Sequence, residues 1–462
     1  MRKTHISLFL LLLSLAATVN AQQLPVSDKY SQYDPDRLSP AFHKSRRDSV
    51  LKYMGERTIA IFPAALPKRR SNDVMYEYHQ DPNFYYLSGH IQPHAVLLLT
   101  KIGTPRQILF VDKKDPASET WTGARLGSEG AKEILGFTES YPIEAFPHIL
   151  DSLLSLTDTV YYRPNYEAVQ DLLLDSTFDN YQDVKQVFAG KHKNITVASL
   201  QNLLGKLRMI KTPEELAIMR KVISITNMGH NEIIKTAKPG WYEYQIQALG
   251  EYVFMNNGAE YTGYPCIVGS GNNSTILHYE TNRRQTQNGD FIEMDIGAEY
   301  HGYSADVTRS FPINGHFTAE QRAIYDIVLE AQDSGIAAAR TGNIFKAPHN
   351  AAVSVVQKGL LKLGIIKSAD EYRKYFMHGT SHFLGLDVHD AGVYGEPLQE
   401  NSIITVEPGI YITEGSPCDP KWWRIGCRIE DDILITKNGP VNLSSASPRT
   451  APEIEQLMQK GK

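Results

Sequence analysis

Along the first half of the chain, short apolar runs alternate with polar punctuation. Thr58 to Pro63, Ala95 to Thr100 and Gln107 to Val111 are each short and apolar at most positions, the pattern expected of buried strands. The stretch from Pro40 to Met54 reads as a helix instead, so this half is expected to be mixed α/β. Near residue 205 the pattern changes. Thr212 is placed to cap a helix, Pro213 takes its first position, and Glu214 and Glu215 put negative charge in its first turn, which predicts a long helix starting there. Lys238-Pro239-Gly240 ends it, and a second helical stretch from Tyr242 to Met255 stops at Asn256-Asn257-Gly258. The expected organisation is α/β (α+β), with one domain over residues 22–205 and a larger one over residues 206–462.

The apolar run at the start of the chain has a different meaning. Arg2 and Lys3 precede Ile6 to Val19, and Val19-Asn20-Ala21 supplies small residues for cleavage, which together read as a signal peptide over residues 1–21. The run is short for a bilayer span, which needs about 20 residues, and no other segment approaches that length. The expectation is an exported protein, periplasmic or secreted, with no stable membrane anchor. Gln22, not Cys, stands directly after the proposed cleavage point, so a lipoprotein reading lacks its acylation site.

Composition narrows the function classes. The 462 residues carry 47 Lys+Arg against 52 Asp+Glu, a net charge of −5, without the basic excess that neutralises a phosphate backbone, so nucleic acid is not an expected partner. The densest basic run, Lys68-Arg69-Arg70, reads as a solvated loop. Cys266, Cys418 and Cys427 are too few for a disulfide scaffold. Cys418 and Cys427 are left open between a pair and two free thiols.

The most informative segment runs from Asp290 to Phe311, where two β-like runs flank His301-Gly302 and predict a hairpin. If those two residues form the turn, Tyr300 pairs with Tyr303 and Gly297 lies opposite Asp306. Asp295 then shares a face with Asp306 as a diagonal neighbour, about 7–8 Å away at the backbone, close enough for both carboxylates to reach one ion. Asp is depleted in strands, so two on one face invite a cause. Further on stand Phe376-Met377-His378-Gly379-Thr380-Ser381-His382, then Asp387-Val388-His389-Asp390, Val406-Glu407-Pro408-Gly409 and Gly426-Cys427-Arg428-Ile429-Glu430. Each is weak alone. Together they set costly charges in apolar strand contexts, with Arg428 and Glu430 expected to alternate onto one strand face.

With these residues in view, the C-terminal half resembles the pita-bread metallopeptidases, most closely the aminopeptidase P (Xaa-Pro aminopeptidase) family. The resemblance places five metal ligands on Asp295, Asp306, His382, Glu407 and Glu430. His278 in Leu277-His278-Tyr279 and His389 match supporting histidines that hold substrate and stabilise the tetrahedral intermediate. Glu407 matches a ligand that also accepts the proton of the attacking water, while His378 and Arg428 fall at substrate-binding positions. Ser71 to Val74, Tyr76 to Gly89 and Trp121 to Gly127 look like that family's N-terminal accessory domain. The implied architecture is a creatinase-like accessory domain followed by a pita-bread catalytic domain, and the implied partners are peptides with proline second and further copies of the chain in a homo-oligomer.

The chemistry agrees with the resemblance. Two divalent cations would neutralise the four carboxylates, and an oxygen-rich donor set favours Mn²⁺, with Zn²⁺, Co²⁺ or Fe²⁺ able to use the same ligands. Two ions about 3.5–4 Å apart can lower the pKa of a shared water and polarise a peptide carbonyl. Gly269-Ser270-Gly271 lacks the third glycine of a nucleotide loop and reads as a turn near the cleft, and neither HExxH nor GxSxG is present. A proline dipeptidase on the same fold and a noncatalytic peptide-binding module are the competing readings.

Overall fold

The structure, a computed structural model, describes residues 27–162 and 194–461. The expected signal peptide lies outside the described residues. The N-terminal part is built on a six-stranded mixed sheet, in the order Glu139–Pro142, Arg106–Val111, Val96–Thr100, Thr58–Pro63, Thr159–Tyr161 and Thr196–Ala198. Its central strands are apolar at successive positions because both faces are covered. Ile59, Ile61, Leu98, Ile108 and Phe110 pack with Leu150, Leu153 and Leu154 on one side. Ala60, Phe62, Leu97, Leu99, Leu109 and Val111 join Phe42, Val50 and Leu51 on the other. Two-residue alternation thus divides each strand between two cores.

In the C-terminal part the long helix runs over Pro213–Thr236, and Thr212 and Glu215 form a reciprocal capping box. The second helix runs over Glu243–Asn256. Helices Ala319–Ala338 and Ala347–Lys362 pack against each other, and short antiparallel sheets lie between the helical layers. The expected domain changeover near residue 205 falls inside the helix Gln201–Met209. No helix among the described residues is long and apolar enough to cross a membrane.

Two expectations need revision, and two readings are made more definite. Glu430 does not continue the strand of Arg428: that strand is Ile425–Arg428, and Glu430 sits in the two-residue break before Asp431–Thr436. Gly269 and Ser270 end the strand Ile267–Ser270, so the turn expected there begins at Gly271, as a 3-10 turn. Arg69 and Arg70 are solvated, but on a strand of a small exposed hairpin. Cys418 and Cys427 are free thiols, as is Cys266, and Cys427 is fully buried.

Candidate metal centre

The centre starts from a turn. His301 and Gly302 both have positive φ, 51° and 78°, as a two-residue type I′ hairpin requires. His301 is a bulky residue for that conformation, and its ring is held on both sides, Nε2 2.9 Å from Asp36 and Nδ1 3.1 Å from Glu260. The turn pairs Tyr300 with Tyr303, and the ladder resumes with Asp295 opposite Thr308 in the same register. Between these two stretches the chains press together: a Cβ on Gly297 would lie 1.9 Å from the Ala305 carbonyl oxygen, so only glycine fits. Asp295 and Asp306 are therefore diagonal neighbours, as the count along the sequence predicts.

Tyr264 ties them together. Its hydroxyl lies 2.5 Å from Asp295 Oδ1 and 2.8 Å from Asp306 Oδ1. A phenol has one proton to donate, so both contacts are satisfied only when a carboxyl is protonated or a cation is shared. His382 Nε2 lies 3.3 Å from Asp306 Oδ2 and 3.7 Å from Glu407 Oε1. Its Nδ1 donates to the Phe383 carbonyl at 3.0 Å, which leaves Nε2 facing the carboxylates. Glu430 Oε2 accepts from Thr308 Oγ1 at 2.7 Å, while Arg309 donates to the Glu430 carbonyl at 2.6 Å. Ligand atoms of Asp306, His382 and Glu430 lie within 4.8 Å of one another.

The charge balance fits cations. Burial pushes Asp295 up to about 6, against the pull of Arg428, and Glu407 up to about 7, against His382 and Arg428. Burial and the neighbouring Asp306, Glu407 and Asp295 push Glu430 well above the carboxylate range. Burial also acts on Asp306, but the contact with His382 holds it below its ordinary value. His382 rises to about 9 because these carboxylates outweigh its burial. Arg428 is already engaged: Nη2 donates to Asp295 Oδ2 at 2.6 Å and Nη1 to Tyr411 at 2.8 Å. Four hard oxygen donors and one imidazole with this excess of negative charge match one or two divalent ions.

The other sequence candidates surround this cluster. His378 Nδ1 is 2.6 Å from the Gly379 carbonyl, Nε2 is 2.9 Å from the Tyr411 hydroxyl, and Nδ1 is also 3.6 Å from Glu407 Oε2. Burial lowers it to about 3, so the ring is neutral, Nδ1 is the donor, and Nε2 accepts from Tyr411. The His389 ring meets that of His382 edge to face, with centroids 4.4 Å apart. His278 is exposed, near enough to His378 and His389 to lower the affinity of each for a proton. Arg428 is buried behind Asp295, 3 % exposed, rather than lining open space. Sequence reasoning missed Tyr264, Thr308, Tyr411 and Glu293. Glu293 stands two residues before Asp295 on the same strand, 2.5 Å from Arg428 Nη2, and burial drives it up to about 8; strand alternation could have found it. Behind Tyr264, a cavity of about 800 Å³ lies between the two parts of the chain, walled by Tyr76 to Gln80 on one side and Gly263, Tyr264 and Glu299 on the other.

The comparisons agree with this geometry. Residues 217–437 match the model of metallopeptidase family M24, and residues 43–161 match that of the aminopeptidase P N-terminal domain. The Xaa-Pro aminopeptidase of Haemophilus influenzae is 36% identical over 427 residues, covering 90% of this chain and 96% of its own. That of Escherichia coli is 37% identical over 430 residues, covering 89% and 96%. The structure of Escherichia coli aminopeptidase P with the inhibitor Pro-Leu superposes with a TM-score of 0.85 at 36% identity, over 92% of this chain and 99% of that one. With both parts of the chain and the ligand cluster in agreement, the protein belongs to metallopeptidase family M24, among the metallo-exopeptidases that carry the aminopeptidase P N-terminal domain.

Proposed function

We propose that the protein is an Xaa-Pro aminopeptidase, hydrolysing the bond between an N-terminal residue and a following proline, with two divalent ions, Mn²⁺ in the native enzyme, held by Asp295, Asp306, His382, Glu407 and Glu430. The observation that carries this reading is the convergence of Asp306, His382 and Glu430, with Asp295 tied to Asp306 through Tyr264 and Glu407 3.7 Å from His382, beside a cavity whose far wall is the accessory domain. When bound, the ions lower the pKa of a water and polarise the peptide carbonyl. Glu407 accepts the proton of the attacking water at a carboxylate oxygen. His389, whose proton affinity burial lowers, serves as a neutral donor for the oxygen on which charge develops, and the family resemblance gives His278 a supporting role at the same oxygen. His378 and Arg428 both bind the Tyr411 hydroxyl, and so fix that corner of the substrate site.

A comparison of Xaa-Pro-Yaa, Xaa-Ala-Yaa and Xaa-Pro with the Mn²⁺-loaded enzyme tests the assignment. Replacing proline by alanine should lower kcat/KM by about ten- to a hundredfold, because a pocket shaped for the pyrrolidine ring loses about 1–3 kcal/mol of contact with a smaller group. Equal values for the first two peptides reject the proline assignment. Efficient cleavage of Xaa-Pro alone makes the enzyme a dipeptidase.

We further infer export, supported by Arg2, Lys3 and the apolar run Ile6 to Val19, and assembly of several copies, supported by the family resemblance. N-terminal sequencing of protein recovered from outside the cytoplasm should begin at Gln22, and retention of Met1 there counts against a cleaved leader.

A further inference from the structure

The His389 imidazole makes no hydrogen bond with the described residues; its ring meets the His382 ring edge to face. A side chain left free to meet substrate must be placed through its backbone. That backbone is fixed by Asp390 N–H donating to the Phe383 carbonyl at 2.8 Å and by Gly385 N–H donating to the Asp387 carbonyl at 3.2 Å. The carboxylates on either side of His389, Asp387 and Asp390, share one partner. Arg208 Nη2 donates to Asp387 Oδ2 at 2.6 Å and also to Asp390 Oδ1. Nη1 of the same guanidinium donates to Asn83 Oδ1 at 2.9 Å, and Asn83 belongs to the accessory-domain helix Pro82–Ser88.

Most of the cluster lies out of reach of water. Lys211 Nζ donates to Asp390 Oδ2 and to the Arg208 carbonyl, both at 2.7 Å. The Arg208, Lys211 and Asp390 side chains are each at most 2 % exposed. Two cations face two carboxylates, Asp390 buried with them and Asp387 partly exposed. A Cβ on Gly385 would meet Asp390 Oδ2 at 2.3 Å and Lys211 Nζ at 2.8 Å, so the loop before His389 packs directly on the cluster. Above it, a cavity of about 300 Å³ is shared by His389, Asp387 and Arg208 with Phe62, Asn83 and Tyr161 of the accessory domain.

We infer that Arg208 is a positioning residue for His389, and that through Asn83 and Arg208 the accessory domain sets the place of this imidazole in the hydrolytic site. The inference rests on the reading of His389 as a group that acts on substrate. A purely structural ion cluster would stabilise the fold without reference to His389, so the two roles separate in a double-mutant cycle.

The experiment measures kcat and KM on an Xaa-Pro-Yaa peptide, with metal content, for the wild type, Arg208→Lys, His389→Ala and the double variant. Lysine keeps the charge but cannot span Asp387, Asp390 and Asn83 together. Arg208→Lys should lower kcat by about ten- to a hundredfold, the scale of a small misplacement propagated to a reacting group, with metal content intact. In the His389→Ala background it should lower kcat no further. An equal fall in both backgrounds, or no fall in either, overturns the inference and leaves the reading of His389 standing. Wild-type kcat in His389→Ala overturns that reading, and the inference with it. Should Arg208→Lys fail to fold, Asn83→Ala makes the same test with the Lys211–Asp390 pair untouched: its fall in kcat must likewise vanish without His389.

Discussion

Protein stripped of divalent ions should lose peptide hydrolysis completely, recover it on reloading, and release protons as the ions bind. Ligands must be deprotonated to coordinate a cation, so uptake displaces whatever protons the empty cluster holds. Burial raises Asp295 to about 6 and Glu407 to about 7, and the neighbouring carboxylates raise His382 to about 9. Glu430 stands well above its ordinary value for the same reason of burial among like charges. At neutral pH the metal-free cluster therefore retains a proton on His382 and partly one on Glu407. Apparent metal affinity should climb between about pH 6 and 9. Titration calorimetry in buffers of different ionisation enthalpy measures the protons directly. More than one per chain at pH 7 is expected; none, or full activity in verified metal-free protein, removes the metal centre from the mechanism.

The same shifts carry a sign for stability. Each raised group binds more protons folded than unfolded, so its contribution to stability is lost as pH rises toward the folded value. For Asp295 and Glu407 that window runs upward from the ordinary carboxylate range, about 4, to about 6 and about 7. For His382 it runs from about 6.5 to about 9. Asp306, held down by His382, acts only below the carboxylate range. Metal-free protein should accordingly melt at lower temperature at pH 8 than at pH 6. Bound ions reverse the trend, because they favour the charged carboxylates and bind only the folded chain. The gap in Tm between loaded and stripped protein should widen with pH.

The hairpin was legible because its information is local. Alternation has a period of two, the turn needs two residues that accept positive φ, and the register from Tyr300–Tyr303 to Asp295–Thr308 follows by counting. Capping at Thr212 and the buried strands of the N-terminal sheet were readable for the same reason. What failed was continuity. Glu430 stands just past a strand end, in a short break before the next strand, and a periodic reading runs straight through such a break. Tyr264 reaches the site from 31 and 42 positions before its partners, and nothing periodic around Tyr264-Pro265-Cys266 marks it. Arg208 meets Asp390 from 182 positions away. Charges paired by the tertiary fold look, along the chain, like ordinary solvated residues.

Replacing His389 should separate proton and oxyanion chemistry from metal binding. Its ring lies against His382 but contacts no carboxylate of the cluster, so His389→Ala should keep its full complement of ions. Burial and the neighbouring His382 hold its proton affinity below the ordinary imidazole value, so at neutral pH it is uncharged and can donate one N–H. If that donor meets the oxygen on which charge develops, kcat should fall by roughly 10²–10³, the cost of losing one such donor, with a smaller change in KM. Glu407→Ala should behave differently. It removes a carboxylate 3.7 Å from His382 and 3.6 Å from His378, so ion occupancy and turnover should fall together. Metal analysis and kinetics on the same preparations decide the matter. Unchanged kcat at full occupancy takes His389 out of the reaction; lost metal makes its effect indirect, through His382. Glu407→Ala that retains both ions while losing turnover would confine Glu407 to proton transfer, and leave Asp295, Asp306, His382 and Glu430 to hold the metals.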